Sequence, residues 1–207
     1  MREQIQVSYK DTPVLIDKAL QNIQKVLTEK LSWLDCAFGR ALRHVERAED
    51  GSKAVYPVIY TGKGEHMSLL PNDNIGNFSW FDIYDPQELD LTFSMPARPR
   101  ITLEGALIFW YDLSSIYEND DFIYTEEIKY EILKLLTTPG LFGNGARLAV
   151  TRIYEKPENI YKGYSLEKLY DDSDSIRSNL RSLDKSFFTY PHAGLRIEFT
   201  LTMQELC

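Results

Sequence analysis

A chain of 207 residues that is 43% hydrophobic and 26% charged has the size and composition of one domain, 1–207, with a core large enough to need no covalent staples. That composition excludes disordered and fibrous classes, and a net charge of −8 argues against a surface that grips phosphate backbones throughout. No apolar run approaches the roughly 20 residues that span a bilayer, and Met1 to Lys10 lacks the apolar centre of a signal peptide.

In chain order the first element is a helix. Thr12-Pro13 is an N-cap followed by proline at N1, and Leu15, Ile16, Ala19, Leu20, Ile23, Val26, Leu27, Leu31 and Leu34 recur at three- and four-residue steps. This predicts an amphipathic helix from about Pro13 to Trp33, with Asp17, Lys18, Gln21, Gln24, Lys25 and Glu29 on its polar side. Arg40 to Arg47 and Lys53 to Tyr60 are β-prone runs around an Asp50-Gly51 turn, which predicts a hairpin. Pro57 marks an edge or bulge within it, and Met67 to Leu70 extends the sheet.

Residues 72–100 are read as a long irregular loop rich in aromatic side chains, which must pack on something. Ile101 to Asp112 is apolar on nearly both faces and is placed at the sheet centre. A second helix opens at Tyr124 to Glu127 and stops at Pro139-Gly140, and Arg147 to Glu155 is a strand. A polar insertion, 156–185, follows. Leu195 to Met203 alternates apolar and polar residues, which predicts a half-buried strand with one polar face. The sum is an α+β fold: a largely antiparallel sheet covered by two amphipathic helices, with long aromatic and polar insertions.

No catalytic pattern emerges. The glycines of GLFGNG, 140–145, follow a helix and precede a strand, the reverse of a phosphate-cradling context, and the acidic stretch at Asp171, Ser173 and Ser175 reads as a solvated loop. His44, His66 and His192 share no ligand spacing. Cys36 and Cys207 have no activating neighbours and are read as reduced thiols, so the expectation is a non-enzyme without cofactor or metal, soluble and made in a cytoplasm. The 13 Tyr, 10 Phe and 3 Trp fill one core or anchor an assembly. The candidate anchors are Phe78, Trp80, Phe81 and Tyr84 in the aromatic loop and Tyr190 near the final strand, with folding back onto the chain's own sheet as the alternative.

The leading helix that begins TPVLIDKAL, the hairpin, the central strand, the helix TEEIKYEILKLL, and RLAVTRIYE followed by YPHAGLRIEFTLTM together resemble the tail-terminator or tail-completion proteins of tailed bacteriophages and the related neck adaptors. The resemblance leaves the position in the virion open: tail terminator, neck adaptor, or a ring protein of a short-tailed phage such as the crAss-like group. The resemblance is architectural and spans most of the chain, with residues 72–100 and 156–185 as departures. It implies a structural virion protein, a hexamer or dodecamer that joins other tail or neck proteins and lets DNA pass through its lumen without specific binding. Two other readings stay open: a small α+β enzyme or ligand-binding domain with an aromatic-lined pocket, and an adaptor that binds one protein through the aromatic loop.

Overall fold

The computed structural model describes residues 7, 9–47, 51, 53–62, 64–71, 75–90, 100–117, 125–138, 140, 145–165 and 191–204. Its centre is a largely antiparallel sheet in the order β1 (Cys36–Arg40), β5 (Phe78–Ile83), β7 (Arg100–Asp112), β9 (His192–Gln204) and β8 (Ala146–Tyr154). Short β6 (Glu88–Asp90) pairs with β7 in the lane that β5 leaves, and β1 runs parallel to β5. A smaller sheet orders β2 (Leu42–Arg47), β3 (Lys53–Gly62) and β4 (Glu65–Ser68). The α+β class expected from the sequence is what the chain adopts.

Alternation along the strands divides the main sheet into two buried faces. On one, Leu103, Leu107 and Phe109 of β7, Ile197, Phe199 and Leu201 of β9 and Phe81 of β5 form a core with two helices. These are α1 (Leu15–Lys30), through Leu20, Ile23 and Leu27, and α3 (Thr125–Leu136), through Ile128, Ile132 and Leu136. On the other, Phe78, Trp80, Ile108 and Trp110 meet Ala54 of β3, Leu69, and the strap that contains α4 (Pro157–Ile160), through Ile160, Tyr161 and Tyr164. Gly194 makes room there, since a Cβ would lie 2.7 Å from the Phe109 carbonyl oxygen and 3.0 Å from Ile160 Cδ1. The strap is held to β3 by backbone: Ser165 N–H donates to Val55 O (2.8 Å), and Val55 N–H donates to Ser165 Oγ (3.1 Å).

Several expectations are refined. The aromatic loop contains β5, the second strand of the main sheet, because FSWFDI suits a strand buried on both faces and pairs antiparallel with β7 from Phe78↔Trp110 to Ile83↔Gly105. Helix α1 starts at Leu15 behind an N-cap at Val14 that makes no side-chain cap, later than the Thr12-Pro13 signal. The preceding strap is tied to the helix flank instead: Lys10 N–H donates to Gln21 Oε1 and Gln21 Nε2 donates to Lys10 O, both at 3.0 Å. Gln21 and Gln24, expected on the solvent side, are therefore buried, and Gln24 Nε2 donates to Ala37 O (2.9 Å) on the outer side of β1. The expected hairpin is present from Leu42↔Val58 to Arg47↔Lys53. Pro57 breaks no β2 pairing: its carbonyl, on the β4 side that its missing N–H also faces, accepts from Leu69 N–H (2.9 Å).

Asn77 joins the start of β5 to four other residues. Its Nδ2 donates to Trp33 O (3.0 Å) and Ser115 Oγ (3.1 Å), its Oδ1 accepts from Asp112 N–H (2.8 Å), and its own N–H donates to Asp35 Oδ2 (2.8 Å). Short α2 (Leu113–Ile116), which follows β7, is capped by Asp112.

Candidate functional site

The polar residues of β9 do not face water. Arg196 and Glu198 point to the strap side, and cross-strand register sets Glu198 beside Ala106 and Asp82 in one row and Arg196 beside Ile108 and Trp80 in the next. With only a methyl at Ala106 between the carboxylates, the guanidinium of Arg196, 2% exposed, reaches both. Its Nη2 lies 3.5 Å from Asp82 Oδ2 and its Nε 3.7 Å from Glu198 Oε1, while Nη1 donates to Ile160 O (3.1 Å) and Nη2 also donates to the Tyr84 hydroxyl. The half-buried strand with one polar face expected here is thus corrected: the polar face is interior because the strap and the second sheet cover it.

Cations from three other elements complete the cluster. Arg43 of β2 stands 3.8 Å from Asp82 and over the Tyr164 ring, Arg152 of β8 is 3.7 Å from Glu198, and Lys162 of the strap is 4.0 Å from Glu198. Tyr164 donates to Asp82 Oδ1 (3.2 Å). Burial, then the Asp82 charge, pushes the Tyr164 phenol up, and burial raises Tyr84 against the lowering influence of Arg196. Both phenols therefore remain protonated donors at neutral pH. The arrangement holds charges in place and ties β5, β9, β2 and the strap together.

Two concavities flank the β1–β2 turn. A groove of about 450 Å³ lies between α1, β1 and the hairpin, lined by Tyr9, Leu20, Gln24, Phe38, Leu42 and Tyr60 among others. A polar cavity of about 480 Å³ on the other side of the turn is lined by Arg40, Arg43, Asp82, Tyr84 and Asp85. Arg40 borders both.

The candidate anchors fare differently. Phe78, Trp80 and Phe81 are 0% exposed inside their own chain, so they are corrected from interface candidates to core residues. The single run supplies both faces of the sheet: Phe78 and Trp80 face the strap and Phe81 faces the helices. Tyr84 is half-buried and belongs to the charged cluster. Tyr190 lies outside the described residues, as do most of the GLFGNG stretch, the acidic stretch of residues 171–175, and Cys207.

Each histidine has an aromatic neighbour: His44 with Tyr56, His66 with Tyr60, and His192 stacked on Trp110. Cys36 is buried in β1, where burial and then Asp35 push its thiol up to about 11, away from reactivity. Among the described residues no group of three His, Cys, Asp or Glu side chains is placed to hold a metal ion, and no helix is long and apolar enough to cross a membrane. Sequence reasoning missed Arg196, Glu198 and Asp82 as a unit. The one available signal was charge set within two largely apolar runs, Asp82 in FSWFDI and both Arg196 and Glu198 in LRIEF. No protein-family model matches the chain, and no curated protein sequence matches it.

Proposed function

We propose that this protein is a structural subunit of a tailed bacteriophage virion, forming a hexameric or dodecameric ring at the tail end or neck that joins head and tail and lets DNA pass through its lumen. The observation that carries the reading is the order and placement of elements. A leading amphipathic helix and a second helix cover one face of an antiparallel sheet, and the segment HAGLRIEFTLTMQ supplies the strand between β7 and β8. That order is the one on which the resemblance to tail-terminator and neck-adaptor proteins rests. The buried charge cluster fits a scaffold role, since it locks two sheets and a strap into one body.

Sedimentation velocity with negative-stain imaging of the purified chain tests this: rings, or a single species of six- or twelvefold mass, are expected, and a monomer at tens of micromolar overturns it. The second reading, a ligand-binding domain, is favoured by one observation, the groove lined by Tyr9, Phe38 and Tyr60. A monomer that co-purifies with a small molecule, released on denaturation and identified by mass spectrometry, would replace the ring reading with that one.

A further inference from the structure

The groove beside β1 has a free acceptor on its floor. Gln24 lines the groove; its Nε2 is committed to Ala37 O, while its Oε1 accepts no hydrogen bond among the described residues and is open to a donor from an occupant. Around it the walls are apolar and aromatic, with Tyr60 51% and Leu42 47% exposed. The rim is net basic: Lys10 and Asp17 pair with each other, Arg40 makes no side-chain ion pair among the described residues, and just beyond the lining Lys25 lies over the Tyr9 ring at 5.5 Å. The occupant that fits is an aromatic knob with a terminal hydroxyl, carried on an acidic surface.

The chain itself presents one. Tyr130, on the solvent side of α3, is 68% exposed, the largest exposure of any aromatic residue described. Helical spacing places Glu126 and Glu127 four and three residues before it on the same face, and Glu131 adjoins it. Glu126 is held by Lys129 and Glu131 accepts from Trp33 Nε1, whereas Glu127 is exposed with no ion pair among the described residues. Charge is complementary between the Arg40 side of the groove and the Glu127 side of the helix, yet the two surfaces cannot meet within one protomer. The groove borders β1, the first strand in the order of the main sheet, while Lys129 of α3 pairs with Glu155 beside β8, the last.

We propose that the groove of one protomer receives Tyr130 and the acidic face of α3 from a second copy of this chain. The Tyr130 ring packs on Phe38 and Tyr60, its hydroxyl donates to Gln24 Oε1, and Glu127 meets Arg40. Because the two patches differ and lie at opposite edges of the sheet, the contact is head-to-tail, and it closes into a ring when the rotation per subunit is a whole fraction of a turn. The inference rests on the ring reading for its partner and specifies the surfaces that reading leaves open.

The test is sedimentation velocity of the full chain and of Tyr130→Ala, Arg40→Glu, Glu127→Arg and the double variant Arg40→Glu/Glu127→Arg, with melting temperature recorded for each. All three positions are exposed, so each variant keeps the parent melting temperature. Tyr130→Ala should weaken self-association by about thirtyfold or more, as loss of a central aromatic anchor does. Each charge reversal alone should dissociate the assembly, and the double variant should restore it, an outcome that only contact between two copies produces. A ring whose mass none of these variants changes keeps the ring reading and overturns this interface. A dimer or open chain that the variants dissociate and the double variant rescues keeps the interface and overturns the ring. A parent chain that is monomeric overturns both.

Discussion

Replacing Arg196 by Met is the most direct way to ask what holds the two layers of this fold together. Methionine follows the aliphatic path of arginine closely, so the cavity left is small and the effect is electrostatic. The substitution removes the positive charge 3.5 Å from Asp82 and 3.7 Å from Glu198 and the donor to Ile160 O. Asp82, 3% exposed, keeps the Tyr164 hydroxyl and Arg43 at 3.8 Å, but the Arg43 side chain is half in solvent and repays little of the burial. Breaking a buried pair from one side costs about 3–5 kcal/mol, a large share of the roughly 5–15 kcal/mol that stabilises a domain. Asp82→Asn alone should cost a similar amount by leaving the guanidinium uncompensated. The double variant should cost less than the sum of the two by more than about 1.5 kcal/mol, because neither charge is then stranded. Urea unfolding, with the denaturant slope checked for constancy, measures all three. A single Arg196→Met variant within about 1 kcal/mol of the parent, or strict additivity in the cycle, would refute the claim that this cluster fastens the strap and second sheet to the first.

Ile23→Asp should destabilise the fold by about 3–5 kcal/mol through an unpartnered carboxylate at a position with 0% exposure, and Gln24→Ala by about 1–2 kcal/mol through loss of the donor to Ala37 O; equal thermal stability of either variant and the parent would show that α1 is docked differently. Trp80→Ser and Phe81→Ser should each cost about 3–5 kcal/mol and lower the melting temperature whatever the oligomeric state; a variant that loses assembly at unchanged melting temperature would return these rings to the interface. Burial raises the folded-state values of Cys36 from 9.0 to about 11 and of Tyr56 from 10.0 to about 12, so their stabilisation is complete below the unfolded values and is lost as pH rises through the folded ones. Unfolding free energy should therefore hold level below about pH 9 and then fall, and Cys36→Ala should remove the part of the fall between pH 9 and 11; a decline that this variant leaves unchanged would count against a buried thiol.

The elements written in strong periodicity were legible: the apolar stripe of α1, the hairpin around Asp50-Gly51, the central position of β7 and the strand at Leu195 to Met203 each followed from local spacing. What escaped depends on neighbours distant in sequence. The run FSWFDI resembles a loop when bounded by Asn72 to Asn77 and Asp85-Pro86, and becomes a strand because β1 and β7 flank it. Gln21 and Gln24 look like solvent-side residues by helical spacing, but the segment before α1 engages both ends of the Gln21 amide and β1 takes the amide nitrogen of Gln24. The charges of β9 read as an exposed face because no local signal announces that α4 and the hairpin cover them. For the candidate site the result is asymmetric. The sequence marked Tyr84 but could not show that it caps an interior ion pair, and it gave no reason to single out Tyr130, whose significance comes from being left outside when α3 docks.

The position of β9 between β7 and β8 sets the order in which the fold can be completed during synthesis. A ribosome delivers β7 and β8 first, and they have no ladder between them until the residues of β9 emerge, after which one strand zips to both neighbours from Asp112↔His192 to Arg100↔Gln204 and from Tyr154↔Arg196 to Ala146↔Met203. Until that moment the nascent chain exposes the two longest unpaired strand edges of the sheet, in a pairing whose large sequence separation makes it slow to form. Closing the sheet therefore waits on β9, and until it pairs, the facing edges of β7 and β8 are open to non-native strand partners.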